Sequence, residues 1–157
     1  MSTVYMMIGL PGSGKSTYRN ELMQQNEIEH CVSTDDLIEK YAEDRNTTYN
    51  EVFKEAIGTA SDKVDWLIEH YVRDNESFVW DQTNVNAKSR KGKLMKIPKY
   101  YKKVAIVVEC ENKDEHQKRL DSREGKTIPK HIMENMEKSF EYPTLEEGFD
   151  EIRLIKT

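Results

Sequence analysis

A glycine-rich loop near the start of the chain has the residue types of a site for phosphate groups. Residues 9–17 read Gly-Leu-Pro-Gly-Ser-Gly-Lys-Ser-Thr and follow a short apolar run, 4–8. This spacing is that of the P-loop, in which glycines let backbone N–H groups point at phosphate oxygens and the following helix adds its positive dipole end. A plain turn between a strand and a helix would not require the full pattern. The motif therefore predicts nucleoside triphosphate binding and leaves open what happens to the triphosphate.

Each polar residue of this loop has a separate predicted task. Lys15 supplies a positive charge to the outer phosphates. The Ser16 hydroxyl joins the shell of a Mg²⁺ ion whose other ligands are mostly water and phosphate oxygens. The residues that we assign to the donor phosphates are Gly12, Ser13, Gly14, Lys15, Ser16 and Thr17.

Two adjacent carboxylates, Asp35 and Asp36, follow a second predicted strand, the short segment 29–33. Phosphoryl transfer to an alcohol needs a carboxylate that accepts or orients the hydroxyl proton. We expect one of the pair, preferably Asp35, to take that role, and we assign Thr34 and Asp36 to the acceptor. The alternative is that the carboxylates cap and charge the first turn of a short helix at 37–41. One residue can cap while the other acts in catalysis.

A third polar cluster, Asp81-Gln82-Thr83-Asn84, follows the apolar segment 77–80. Asp81 has two functional interpretations, a contact with Mg²⁺ through water or a hydrogen bond to the acceptor. A structural alternative is a carboxylate that caps a helix. We assign Asp81, Thr83 and Asn84 to substrate binding, and Asp81 together with Ser16 to the metal.

Two arginines, Arg119 and Arg123, stand four residues apart before a loop that ends at Pro129. On one helix this spacing places both side chains on the same face. Two guanidinium groups on a mobile lid, residues 119–129, can clamp phosphates and exclude water. The alternative is ion pairing at the surface with Asp121 or Glu124.

The elements that would position these groups alternate between strand and helix, which favours a parallel sheet with helices on both faces. An apolar stripe in the longest helix, which includes Phe53 and Ile57, is typical of core packing. Ligands of such sheets bind beyond the carboxyl ends of the strands, where the polar clusters fall. The predicted strands are 3–9, 29–33, 77–80, 104–108 and 151–155, and the predicted main helices are 15–25, 49–72, 87–96, 113–120 and 129–140.

Composition predicts one domain, residues 1–157, because hydrophobic residues make up 36% and charged residues 34% of a chain of this length. No apolar run approaches the ~20 residues that span a bilayer, and the N-terminus has no basic leader. Cys31 and Cys110 are predicted to be buried free thiols, which favours a reducing cytoplasmic location. Two cysteines and four scattered histidines give no zinc pattern. The sequence leaves the oligomeric state open.

Charge is distributed unevenly along the chain. The net charge is −5, yet the interval 82–108 has eight basic and no acidic residues. Such an interval is either a docking surface for a polyanion or a solvated, lysine-rich helix face.

The order and spacing of these motifs resemble the P-loop kinase domain of bacteriophage polynucleotide 5′-kinases and related small kinases over nearly the whole chain. The resemblance implies a three-layer α/β P-loop kinase fold, with a parallel five-stranded sheet flanked by helices, a mobile lid, an ATP donor and Mg²⁺. It implies that Asp35 is the general base and that Thr83 and Asn84 form a Thr-Asn signature. It also implies that Lys15, Arg119 and Arg123 act on the donor phosphates.

The chain departs from this family around the predicted base. Where the family pattern resembles Arg-Asp-Asp-aromatic-Arg, this sequence has Thr34-Asp35-Asp36-Leu37-Ile38. An aliphatic side chain cannot form the charge-assisted pair that the second arginine makes with a substrate phosphate. Either another cation, such as Arg90 or one of the lysines in 88–103, takes over, or the acceptor is different.

Three functions remain open from the sequence. The first is ATP-dependent phosphorylation of a hydroxyl on a nucleic acid or nucleotide, with a 5′-hydroxyl end as the first choice. The second keeps the kinase and changes the acceptor to a modified base in DNA or a small molecule. The third is a nucleotide-binding regulatory module without transfer. None of them requires a membrane.

Overall fold

The computed structural model describes all 157 residues and contains one parallel sheet of five strands. The strands lie in the order β2-β3-β1-β4-β5, so the two strands beside β1 come from later in the chain. Every neighbouring pair is parallel. The strands are β1 (Thr3–Ile8), β2 (Cys31–Val32), β3 (Phe78–Asp81), β4 (Lys102–Glu109) and β5 (Glu151–Lys156).

Helices cover both faces of this sheet, as parallel strands require. Residues of β1 alternate between the faces: Met6 packs in a cluster with Val64 and Ile68, whereas Met7 packs in another with Leu22. The sequence prediction of a three-layer α/β fold is therefore confirmed. The helices are α1 (Lys15–Gln25), α2 (Thr34–Asp44), α3 (Tyr49–Arg73), α4 (Ala87–Leu94), α5 (Lys113–Asp121) and α6 (Lys130–Ser139), and a 3₁₀ turn covers Leu145–Glu147.

The element that differs most from the prediction is α2, which begins at Thr34 rather than at 37. Its N-cap is Ser33, whose side chain accepts a hydrogen bond from the backbone N–H of Asp36. Asp35 and Asp36 thus lie in the first turn, where carboxylates interact favourably with the helix dipole. Strand β2 is shorter than predicted, because only two of its residues pair with β3.

None of the helices is long and apolar enough to cross a membrane. Both cysteines are free, as expected, but they are half-buried rather than buried. Burial raises the pKa of the Cys31 thiol to about 12, so this thiol stays protonated near neutral pH.

Candidate active site

A cleft of about 1030 Å³ opens at the carboxyl ends of the central strands. It gathers residues from the P-loop, from the first turn of α2, from the end of β3 and from the 119–129 segment. This is the place that the topology of an open parallel sheet predicts for a ligand. Sequence-predicted residues that line it are Gly12, Gly14, Lys15, Ser16, Thr17, Thr34, Asp35, Asp36, Asp81, Thr83, Arg119 and Arg123.

The P-loop has the shape of a phosphate cradle. Gly12 and Gly14 have φ of 78° and 102°, which side-chain-bearing residues rarely adopt. A Cβ on Gly9 would lie 2.6 Å from the carbonyl oxygen of Val108. No side chain caps the first N–H groups of α1, and the buried Ser13 hydroxyl has no hydrogen-bond partner. These free donors fit the phosphates of a nucleotide.

Lys15 lies at the floor of the cleft. Its ammonium donates to the carbonyl oxygen of Gln82 at 3.2 Å and lies 3.5 Å from Asp81 Oδ1. Burial lowers the pKa of Lys15, and the negative charges of Asp81 and Asp35 oppose that shift. The ammonium is thus held in place by β3 before any phosphate arrives.

Arg19 joins the two carboxylate clusters and was missed by the sequence reasoning. Its Nη1 lies 2.8 Å from Asp81 Oδ2 and 2.8 Å from Asp36 Oδ2. Burial raises the pKa of Asp36, and Arg19 opposes this shift. Asp36 therefore links α2 to α1, which places the neighbouring Asp35 at the cleft. The sequence did contain a signal for Arg19: it stands four residues after Lys15, and this spacing places both side chains on one face of α1.

Asp35 faces the cleft and has two contacts. Its Oδ1 accepts a hydrogen bond of 2.8 Å from the hydroxyl of Tyr49, and its Oδ2 lies 3.5 Å from Lys126 Nζ. Lys126 also pairs with Glu39 at 2.6 Å. Burial raises the pKa of Tyr49, and the bond to Asp35 adds to this shift, so the phenol stays a donor. The carboxylate is oriented by α3 and remains half exposed.

The two arginines of the predicted lid both line the cleft, but they do not share a helical face. Arg119 lies in α5, which ends at Asp121, and Arg123 lies beyond it. Arg119 pairs with Glu115 and donates to the Ser13 carbonyl at 3.3 Å. Neither arginine pairs with Asp121 or Glu124, the predicted alternative partners.

The rest of the 119–129 segment is joined to the start of α3 through Asn50. The Asn50 backbone N–H donates to the Gly125 carbonyl, its amide Nδ2 donates to Thr127 Oγ1, and its Oδ1 accepts from the Thr127 N–H. These three bonds, of 3.0 to 3.1 Å, hold the segment across the cleft beside Asp35.

Arg123 is expected to contribute to nucleotide affinity, because its buried Nη1 has no hydrogen-bond partner in the protein. Arg123→Gln should weaken binding of a non-hydrolysable ATP analogue about tenfold, the effect of one charge-assisted hydrogen bond. Isothermal titration calorimetry measures this affinity. Lys118→Gln, which removes an exposed charge on α5 nearby, is the control and should bind as the wild type does. Equal affinities in the two variants would contradict the assignment.

Two residues assigned to the substrate lie outside the cleft. Arg90 is fully buried; it forms a bidentate pair with Glu147 and donates to the carbonyl oxygen of Asn84 at 2.8 Å. Asn84 is 1% exposed, and its amide donates to the Met7 carbonyl at 2.8 Å. Contrary to the prediction, neither residue lies where it could contact a ligand in the cleft, and a bonded, buried guanidinium cannot turn outward without leaving Glu147 unpaired.

Position 38, where the resembling family has an arginine, also faces away from the cleft. Ile38 is fully buried and packs with Val52 and Ala56 of α3. In this helix the residues that line the cleft are Thr34, Asp35, Asp36 and Glu39. A cation for the acceptor therefore has to come from another element.

The basic interval 82–108 does not form one surface at the cleft. Lys93 alone among its eight basic residues lines the cleft. Lys96 pairs with Asp65 and Lys102 pairs with Glu151. Lys103 donates to backbone carbonyls of the loop before β4.

One wall of the cleft is apolar. Phe53 and Ile57 of α3 follow Tyr49 at four-residue steps, and Ile132 and Met136 of α6 also line the cleft. Phe53 is 39% and Ile132 43% exposed, which is high for large apolar side chains. The sequence interpretation placed this part of the α3 stripe in the core; the buried stripe is instead Val52, Ala56, Ala60, Val64 and Ile68.

The sheet order, the P-loop after its central strand and the polar cleft define a P-loop kinase-like fold. Residues 4–143 match the model of the AAA domain family, so the chain belongs to that family. The predicted resemblance holds in its coarser part, a P-loop family with kinases among its structural neighbours; it does not extend to bacteriophage polynucleotide kinases in particular.

Curated relatives include heterogeneous nuclear ribonucleoprotein U-like protein 2 of Homo sapiens, which is 27% identical over 95% of this chain. This chain spans about a fifth of that protein's length (21%).

Solved structures of the same fold include kinases of several kinds. A candidate kinase from Chloroflexus aurantiacus has a TM-score of 0.73 at 15% identity, over 99% of this chain and 88% of that one. A gluconokinase from Sinorhizobium meliloti has a TM-score of 0.57 at 15% identity, over 98% and 82%. A chain of the Pnkp1/Rnl/Hen1 RNA repair complex has a TM-score of 0.64 at 18% identity, over 88% and 43%.

Proposed function

We propose that the protein is an ATP-dependent kinase that phosphorylates a hydroxyl of a nucleic acid or nucleotide, with a 5′-hydroxyl end as the first acceptor. The observation that carries this proposal is the position of Asp35. Its carboxylate shares the cleft with the P-loop lysine and Arg123, and the apolar wall begins beside it at Tyr49. A site for nucleotide binding alone would not need an oriented carboxylate facing the phosphates.

In the proposed reaction the acceptor oxygen forms a bond to the γ-phosphorus of ATP as the bond from that phosphorus to the bridging oxygen breaks, which releases ADP. Asp35 takes the proton of the acceptor hydroxyl. Lys15, the loop N–H groups and Arg123 bind the phosphate oxygens, on which negative charge is spread in the transition state. Mg²⁺, when bound, neutralises charge on the outer phosphates. The Ser16 hydroxyl and, through water, Asp81 would hold it; an ion that keeps several waters suits so few protein oxygens.

The apolar wall favours a nucleotide over a sugar acid as acceptor. A nucleobase has a flat apolar face that Phe53 and Ile132 can cover, whereas a polyhydroxylated acceptor would leave these side chains against polar groups. A ribonucleoprotein and an RNA repair complex among the similar proteins are consistent with this choice.

The test is a transfer assay with γ-labelled ATP and Mg²⁺. The acceptors are 5′-hydroxyl DNA and RNA oligonucleotides, the same oligonucleotides with a 5′-phosphate, nucleosides and gluconate. We expect labelling of the 5′-hydroxyl oligonucleotides only. Absence of label on every acceptor, from protein that is folded and binds ATP, would exclude the proposal.

A second candidate is a kinase for a modified base in DNA or for a small molecule. The burial of Ile38 favours it, because α2 offers no cation to an acceptor phosphate. Closed circular DNA that carries hydroxymethylated bases separates the two candidates, since it has no free end. Label in that DNA would support the second candidate and would exclude the requirement for a free 5′-hydroxyl end.

A further inference from the structure

Lys93 lies in the cleft with a positive charge that no part of the kinase site yet uses. It is in α4, it is half-buried, and it lines the same cavity as the P-loop and Asp35. Helix α4 packs on the same face of the sheet as α3, since Leu94 lies in one core cluster with Val64 and Ile68.

The partners of Lys93 inside the protein are neutral. Its ammonium donates to Asn84 Oδ1 and lies 5.7 Å from the centre of the Trp80 ring. None of the protein's ion pairs includes Lys93. Three other cations that line the cleft, Lys15, Arg119 and Lys126, each have a carboxylate within 3.5 Å. The remaining two also have no ion pair, but Arg123 is already assigned to the donor phosphates and Lys54 is exposed.

An ammonium removed from water without a counter-charge is unfavourable unless an anion joins it. Burial lowers the pKa of Lys93 to about 8, and the like charges of Lys15 and Lys96 add to the shift. At pH 7 the group is still mostly protonated. The protein thus maintains a positive charge at the cleft that its own carboxylates leave uncompensated.

The position of this charge is fixed by a network that also holds Lys15. The Asn84 amide nitrogen donates to the carbonyl oxygens of Met7 and Gln82, so Oδ1 points to Lys93. The same Gln82 carbonyl accepts from Lys15. The Asn84 amide and the Gln82 carbonyl therefore link the two ammonium groups, and both groups line the same cleft.

We propose that Lys93 binds a phosphate group in the cleft, as a ligand-contacting cation in addition to Lys15. This proposal rests on the proposed function, because it assigns the phosphate to the donor or to the acceptor of phosphoryl transfer. The chemistry is the same for both sources, the γ-phosphate of ATP and a phosphate of the acceptor strand. If the phosphate belongs to the acceptor strand, Lys93 would supply the cation that α2 lacks at position 38, where Ile38 is buried.

The test compares Lys93→Met with Lys91→Met, which removes an exposed charge from the same helix. Calorimetry measures the Kd of each variant for a non-hydrolysable ATP analogue, for a nucleoside 3′-monophosphate and for the matching nucleoside. If Lys93 binds the γ-phosphate of the donor, Lys93→Met raises the Kd of the ATP analogue about tenfold. If Lys93 binds a phosphate of the acceptor, the variant raises the Kd of the nucleoside 3′-monophosphate about tenfold and leaves the Kd of the nucleoside unchanged. Values within about twofold of wild type for both phosphate ligands overturn the proposal.

Two further measurements keep the outcome interpretable. Thermal unfolding of each variant shows whether the fold is retained, and Lys93→Arg, which restores the charge, should recover most of the lost affinity. A purely structural lysine would lower Tm without separating the monophosphate from the nucleoside. Because these readouts are binding constants, they hold even if the wild-type protein transfers phosphate to none of the acceptors offered.

Discussion

Asp35→Asn is expected to lower kcat for phosphoryl transfer by roughly 10²-fold or more while ATP affinity stays within about twofold. Asparagine has the same size and can still accept the bond from the Tyr49 hydroxyl, so the first turn of α2 should keep its position. The amide cannot take the proton of the acceptor hydroxyl. Single-turnover kinetics with the labelled 5′-hydroxyl oligonucleotide measure the chemical step, and calorimetry measures the nucleotide Kd.

The matched control is Asp44→Asn, which removes a carboxylate from the exposed end of the same helix. It should transfer phosphate at the wild-type rate. A wild-type rate in Asp35→Asn as well would remove Asp35 as the base and favour a nucleotide-binding module without transfer. Loss of ATP binding in Asp35→Asn would instead show that the carboxylate maintains the fold of the cleft.

The donor half of the site could be predicted from sequence because its determinants are local. The residues of the P-loop are contiguous, and their positive φ angles and uncapped helix start follow from glycine at those positions. Asp35 and Asp81 were predictable for a related reason: each stands at or just after the end of a predicted strand, and parallel topology brings those ends together.

The acceptor half could not be predicted in the same way, because it depends on which way a side chain points. Phe53 and Ile57 have the same four-residue spacing as the buried stripe of α3, and periodicity alone cannot tell a core face from a cleft wall. Arg90 and Lys93 are both basic residues of α4, three positions apart. Only the fold shows that one is buried on Glu147 and the other lines the cleft.

Arg90→Met is expected to reduce the free energy of unfolding by about 3 kcal/mol, the effect of leaving one member of a buried ion pair alone. Methionine fills much of the volume but cannot replace the bonds to Glu147 and to the Asn84 carbonyl. Urea denaturation measures the change. Lys88→Met, an exposed position on the same helix, should stay within about 0.5 kcal/mol of wild type.

The pH dependence of stability distinguishes a structural role of Arg90 from a role in substrate binding. Burial alone would raise the pKa of Glu147, but the bonds from Arg90 and Thr144 outweigh it and leave that pKa below its ordinary value of 4.5. A carboxyl group whose pKa is lower in the folded chain than in the unfolded chain stabilises the fold at any pH above its unfolded-state pKa. This stabilisation is lost as the pH falls through its folded-state pKa. Between pH 6 and pH 3, roughly, the wild type should therefore lose more stability than Arg90→Met. If the stability of the two proteins depends equally on pH and Arg90→Met weakens only the binding of the acceptor, Arg90 would have to be assigned to substrate binding.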